Sequence, residues 1–197
     1  MFSKFVYVAT GFLQNSGTRT RLIQLWSDLY TEYGGNGHLI KLLPWSADWK
    51  AEAELYNRTS TPDAKIVMLA YSWGAGKGFV EFGNALHKRG RKLDVACLID
   101  PVYRHKYWLG NWRAFVPGIP ILIPESVGVV HHWYQQQSWP RGHKLIASSQ
   151  DTKIDSRDVV KADHGHMDDH PLVIAETSTI IRDFLDSSHP SKSRASN

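Results

Sequence analysis

Cysteine is nearly missing from this sequence: 197 residues contain one, Cys97. A lone thiol can build neither an internal disulfide framework nor a zinc site of several thiolates, so neither a stapled secreted fold nor metal-dependent folding is indicated. Long hydrophobic runs are missing too. The opening MFSKFVYVATGF has one Lys and then a run of about four apolar residues, too short for a signal-peptide core and far short of the roughly 20 that span a bilayer. The expectation is a cytoplasmic protein without a membrane span.

No charge sign dominates. Lys and Arg number 23 against 19 Asp and Glu, a net charge of +4. The segment Ser187–Asn197 holds Lys192, Arg194 and no acid, so half of that excess belongs to what reads as a disordered basic tail. The dense basic run from His87 to Lys92 falls where a helix should stop, and cations are favoured there by the helix dipole. Nucleic acid is therefore not expected as a partner. There is no internal repeat and no linker, so residues 1–186 read as one domain and 187–197 as its tail.

What is present is a series of short, continuous apolar runs separated by helical patterns, the signature of buried parallel strands with crossover helices. The fold class is α/β: a mostly parallel twisted sheet, helices on both faces, compact. Strands are expected at Phe5–Val8, His38–Leu43, Ile66–Ala70 and Leu93–Ile99, more weakly at Ile119–Ile123 and Val127–Val130, and briefly at Val159–Val160. Helices are expected around Leu22, Trp26, Leu29 and Tyr33, stopped by Gly34-Gly35; around Phe79, Phe82 and Leu86; and from Pro171 to Leu185, where proline suits the first turn. The Trp-rich stretch around Trp45 and Trp49 reads as irregular.

One junction carries chemistry. Ala70-Tyr71-Ser72-Trp73-Gly74 is a small-x-Ser-x-small pattern between an expected strand and an expected helix. Such a tight turn exposes the hydroxyl, and small residues on either side let strand and helix approach. Two phosphate-loop readings of the same glycines fail on spacing: Tyr71 stands where a Walker A loop needs its first Gly, and Phe79 where a dinucleotide loop needs its last. Asp100 ends the next strand, and Asp163-His164-Gly165-His166-Met167-Asp168-Asp169-His170-Pro171 supplies three histidines before the closing helix. Asp151 and Asp155 are alternative acids, and His166 is an alternative to His164. The start of an H-x-H-x-D metal motif at His164 breaks register at Asp169, so no metal is expected.

These parts resemble the α/β-hydrolase superfamily over roughly Phe5 to Phe184. Ala70–Gly74 resembles its nucleophile elbow and Thr10-Gly11-Phe12 its early oxyanion loop. Asp100 after the strand following the nucleophile is an arrangement seen in thioesterase domains of polyketide and peptide synthases. His164 stands seven residues before Pro171, as the histidine does in many members before the proline of the last helix. Ala70 replaces the first elbow glycine and Thr10 the loop histidine, and the short chain implies a trimmed sheet without a large cap domain.

The resemblance implies a serine hydrolase acting on an ester or thioester, either a small molecule or one borne on an acyl carrier, with no cofactor. In it Ser72 is the nucleophile, His164 the base and Asp100 the acid. Trp73 and Phe12 would supply backbone N–H groups to the oxyanion, with Gly11 and Trp73 touching substrate. Some of Trp108, Trp112, Trp133 and Trp139 could line an apolar groove, with ordinary packing the alternative for each. An acyltransferase with the same triad, or a hydrolase-like binding protein without turnover, are alternatives. Oligomeric state and acyl and leaving groups are left open.

Overall fold

A computed structural model of the chain describes residues 1–12, 14, 17, 19–35, 37–103, 119–159 and 161–187. Its centre is a six-stranded, all-parallel sheet in the order β2-β1-β3-β4-β6-β8. The strands are β1 (Phe2–Ala9), β2 (His38–Leu43), β3 (Ser60–Tyr71), β4 (Leu93–Ile99), β6 (Val127–Tyr134) and β8 (Lys153–Asp158). A separate two-stranded parallel ribbon pairs β5 (Ile121–Ile123) with β7 (Leu145–Ala147). Among the described residues four α-helices connect and cover the sheet: α1 (Arg21–Tyr33), α2 (Trp49–Thr59), α3 (Phe79–His87) and α4 (Pro171–Asp186). This is a compact α/β architecture, and the described residues include no large cap.

The apolar runs split by the pleat, because successive side chains of a strand point to opposite faces. Phe5, Tyr7 and Ala9 of β1 and Ile66, Met68 and Ala70 of β3 pack with Trp49, Tyr56, Phe79 and Phe82 on the α2/α3 side. Val6, Val8, Val67, Leu69 and Tyr71 pack with Leu22, Leu29, Val173 and Ile181 on the α1/α4 side. Burial on both faces is why these strands read as unbroken hydrophobic runs.

Several elements differ from the sequence expectation. The stretch after Trp45 is not wholly irregular: α2 begins at Trp49, capped by Asp48, whose carboxylate accepts from Lys50 and Ala51 N–H at 3.1 and 3.0 Å. The last sheet strand is the polar Lys153–Asp158, not Val159–Val160. As an edge strand it is mostly exposed, so its sequence carries no hydrophobic signal. Val159 lies just past it and donates its N–H to Tyr134 O, while Val160 lies outside the described residues, as do Trp108, Trp112 and the tail from residue 188. A single wide π turn, Gly74–Gly78, precedes α3. Trp133 is core rather than groove, 1% exposed with its indole N–H donating to Glu176 at 2.7 Å, and Trp139 is exposed.

The burial of Lys4 and of His132 was not foreseen. The Lys4 ammonium donates to the carbonyls of Phe184, Leu185 and Ser187, closing the C-terminus of α4 where positive charge is favoured. His132, 1% exposed, stacks on Tyr134 at 4.9 Å between ring centroids and shares a hydrogen bond with Ser156 Oγ at 3.0 Å, and burial pushes its pKa down to about 3. Because imidazole ordinarily titrates at 6.5, the unfolded chain gains a proton below that value while the folded chain does not. His132 therefore withdraws stability as pH falls from 6.5 toward 3. The expected penalty at about pH 4 is on the order of 3 kcal/mol. Urea unfolding at neutral pH and at about pH 4 checks this: His132→Leu should lose less stability between the two than the parent protein does, and an equal loss would show that His132 is not the titrating group.

Candidate active site

All six strands of the main sheet are parallel, so the residues that follow them gather at one edge. The chain leaves β1 toward β2 on one side and returns through β3 on the other. The crevice at such a reversal is where open α/β sheets place ligands. Thr10–Phe12 leave β1 there and Ser72 leaves β3 there.

Ser72 has a left-handed backbone, φ +53°, and is 4% exposed. Its N–H donates to Ile99 O at 3.0 Å, and its carbonyl accepts from Gly76 and Val102 N–H at 2.8 and 3.1 Å, so the strained turn is tied on both sides. Gly74 is needed for it: a Cβ there would lie 2.6 Å from Thr10 O and 2.7 Å from Ala9 O. That is the close approach of helix entry to strand end anticipated from the small-x-Ser-x-small pattern.

Asp100 leaves β4 with φ +42° and its N–H bonded to Trp133 O at 2.7 Å. Its carboxylate is fully buried, and buried charge is tolerated only when well paired. Three donors face it. Gln135 donates its backbone N–H to Oδ1 and its side-chain Nε2 to Oδ2, both at 3.0 Å, and His164 Nδ1 stands 2.6 Å from Oδ2. Gly142 closes the other side, where a Cβ would meet Oδ1 at 2.0 Å.

His164 opens a short 3₁₀ helix, His164–Asp169. Its N–H donates to Ser138 Oγ at 2.7 Å and its ring stacks on Tyr71 at 5.4 Å between centroids. The Tyr71 hydroxyl donates to the His164 carbonyl, and burial raises that hydroxyl's pKa, so it stays a donor. The tautomer follows from the partners. An ionised Asp100 only accepts, so Nδ1 carries the proton, and Nε2, 2.9 Å from Ser72 Oγ, is left to accept.

The structure thus brings together Ser72, His164 and Asp100 and leaves the alternatives elsewhere. His166 is exposed and bonds Asp163 at 2.8 Å, which raises its pKa. His170 is half-buried. Asp155 sits on edge strand β8 with Arg157 at 2.9 Å and His131 at 3.6 Å, and Asp151 is in an exposed turn.

Trp73 enters the π turn directly after Ser72. Gly11 donates its N–H to Gln14 Oε1 at 3.0 Å, while Gln14 Nε2 donates to Asp168 at 2.6 Å. The early loop carrying Phe12 is thereby tied to the 3₁₀ helix carrying His164. Asp168 is 1% exposed, and burial raises its pKa. Sequence reasoning missed Gln135, Ser138, Gly142, Gln14 and the role of Asp168, since each acts through a contact made between distant loops. Among the described residues no group of three or more His, Cys, Asp or Glu side chains is arranged to hold a metal ion, and no helix is long and apolar enough to cross a membrane.

No protein-family model matches the chain, and no curated protein matches it in sequence. Solved structures do. Alpha/beta hydrolase domain-containing protein 10 from mouse matches over 92% of this chain and 89% of that one, with 10% identity and a TM-score of 0.50. The surfactin thioesterase domain SrfTE matches over 95% and 94% with 11% identity and a TM-score of 0.49. RedJ, a thioesterase from the prodiginine pathway of Streptomyces coelicolor, matches over 90% and 85% with 11% identity and a TM-score of 0.48. At such identities a likeness concerns the fold, and the mouse protein's match together with the six parallel strands settles it: this chain has an α/β-hydrolase-like fold.

Proposed function

We propose that the chain is a serine hydrolase that cleaves a carboxylic ester or thioester through an acyl-enzyme on Ser72. The observation that carries this reading is the continuous hydrogen-bonded line from Ser72 Oγ through His164 to the buried Asp100 carboxylate, at 2.9 and 2.6 Å. Each role follows from that line. As Ser72 Oγ attacks the carbonyl carbon, its proton passes to His164 Nε2. Asp100, held by Gln135, keeps Nδ1–H in place and stabilises the imidazolium. The carbonyl oxygen becomes an oxyanion beside the backbone N–H groups proposed as its donors, those of Trp73 and Phe12, at the entry of the turn that opens α3.

Collapse of that intermediate expels the alcohol or thiol, which takes the proton from Nε2. Water then repeats the sequence on the acyl-enzyme, with His164 as base, and releases the acid and Ser72. No step needs a cofactor. An ester or thioester fits better than an amide because its leaving group departs with less protonation. The proposed substrate is a small molecule or an acyl group on a carrier.

Hydrolysis of 4-nitrophenyl acetate by two single variants tests the assignment of the base. His164→Ala should lose at least about a thousandfold in kcat/KM, and His166→Ala should stay within about threefold of the parent, since its ring is directed to Asp163. The opposite pattern would move the base to His166.

A further inference from the structure

Three aromatic rings stand beside Ser72 and belong to neither layer of the core. Phe12 lies 4.2 Å from Trp73 between ring centroids, and Trp45 lies 5.0 Å from Trp73 and 6.3 Å from Phe12. Phe12 is 43% exposed, and Trp45 and Trp73 are partly so. The rings come from the ends of three adjacent strands, β2, β1 and β3. They are held in place. The Trp45 carbonyl accepts the Trp49 indole N–H at 3.0 Å, and the Lys77 ammonium, paired with Glu81 at 2.8 Å, lies 5.5 Å from the centre of a Trp45 ring. A pre-organised, half-solvated aromatic surface contiguous with a nucleophile is a binding surface for an apolar group.

The strand order says which part of the substrate it faces. Asp100, Gln135 and His164 follow β4, β6 and β8, on one side of Ser72; Phe12 and Trp45 follow β1 and β2 on the other, and Trp73, next to Ser72 after β3, packs its ring against them. The leaving atom must stand within reach of His164 Nε2, which protonates it. The group that stays bonded to Ser72 is therefore the one directed away from His164. We propose that Phe12, Trp45 and Trp73 form an acyl subsite that selects an apolar acyl group, a chain of several carbons or an aryl ring, over acetyl. This rests on the serine-hydrolase reading and adds a substrate class to it.

The test holds 4-nitrophenol constant as leaving group and lengthens the acyl chain from acetate to hexanoate, adding four methylenes. Full burial of each would raise kcat/KM about fourfold. A half-open surface should capture part of this, so hexanoate is expected to exceed acetate by at least about tenfold. Trp45→Ala should lower the hexanoate-to-acetate ratio by at least about fivefold and Trp45→Phe by less, with Trp45→Phe and Phe12→Leu supplying the same ratio if the alanine variant does not fold. Exchanging nitrophenol for naphthol on a constant acetyl group should leave the effect of Trp45→Phe unchanged.

Equal turnover of both esters by the parent protein, or an equal loss on both in the Trp45 variants, would overturn the subsite. So would an effect that follows the alcohol. Turnover that shows no chain preference but vanishes in Ser72→Ala overturns the subsite alone. Turnover that persists in Ser72→Ala, or none on any ester, overturns the hydrolase reading and the subsite with it.

Discussion

Ser72→Ala is expected to remove at least about a thousandfold of ester turnover while leaving the fold in place. The hydroxyl stands 2.9 Å from His164 Nε2, in place to give up its proton and attack a carbonyl, and what survives its loss is the stabilisation of the oxyanion and substrate binding. The fold should tolerate the change for a separate reason. Alanine faces the same left-handed backbone at φ +53° that serine already adopts, so no new strain is introduced, and the hydrogen bonds that tie the turn to Ile99, Gly76 and Val102 use only main-chain atoms. Thermal unfolding within a few degrees of the parent, together with lost turnover, is the combined result expected. A folded variant with near-normal turnover would leave Ser72 as a feature of the fold alone.

The second large effect is at Asp100. Three donors surround its carboxylate: Gln135 N–H, Gln135 Nε2 and His164 Nδ1–H. Asn would keep the shape but turn one oxygen into an NH₂ that must face a donor. To avoid that clash His164 would have to turn its lone pair toward the amide and its proton toward Ser72, the tautomer that cannot accept the serine proton. Asp100→Asn should therefore reduce kcat by roughly 10³ to 10⁴ and cost on the order of 1–3 kcal/mol for the buried group left unpaired. The activity loss should shrink at alkaline pH, where Ser72 needs less help in losing its proton. A flat, small loss across the whole pH range would mean that another acid orients the imidazole.

How much of this was legible in the sequence depends on where the information lies. Buried strands announce themselves, because Phe5–Val8, Ile66–Ala70 and Leu93–Ile99 bury side chains on both faces. The polar Lys153–Asp158 strand does not, because at the sheet edge only its main chain is committed. Helix α2 was legible in principle from Asp48 as a cap and from Trp49, Ala53 and Tyr56 on one face; the neighbouring tryptophans hid it. Within the site, Ser72 was readable because a strained turn demands small neighbours, and Asp100 and His164 because parallel strands deliver their ends to one edge. Gln135 and Gly142 were not. Nothing local marks a glutamine whose value is that it holds a carboxylate 35 positions away, or a glycine whose missing Cβ makes room for that carboxylate.

The most direct measurement of the central claim is covalent labelling with a fluorophosphonate, which reacts only with a serine whose proton can be taken by a neighbouring base. Digestion of the labelled protein and mass analysis of its peptides locate the adduct. The expected result is one adduct, on the peptide that contains Ser72, absent in Ser72→Ala and formed far more slowly in His164→Ala. A folded parent protein that takes up no label, or an adduct elsewhere that persists in Ser72→Ala, would contradict the account.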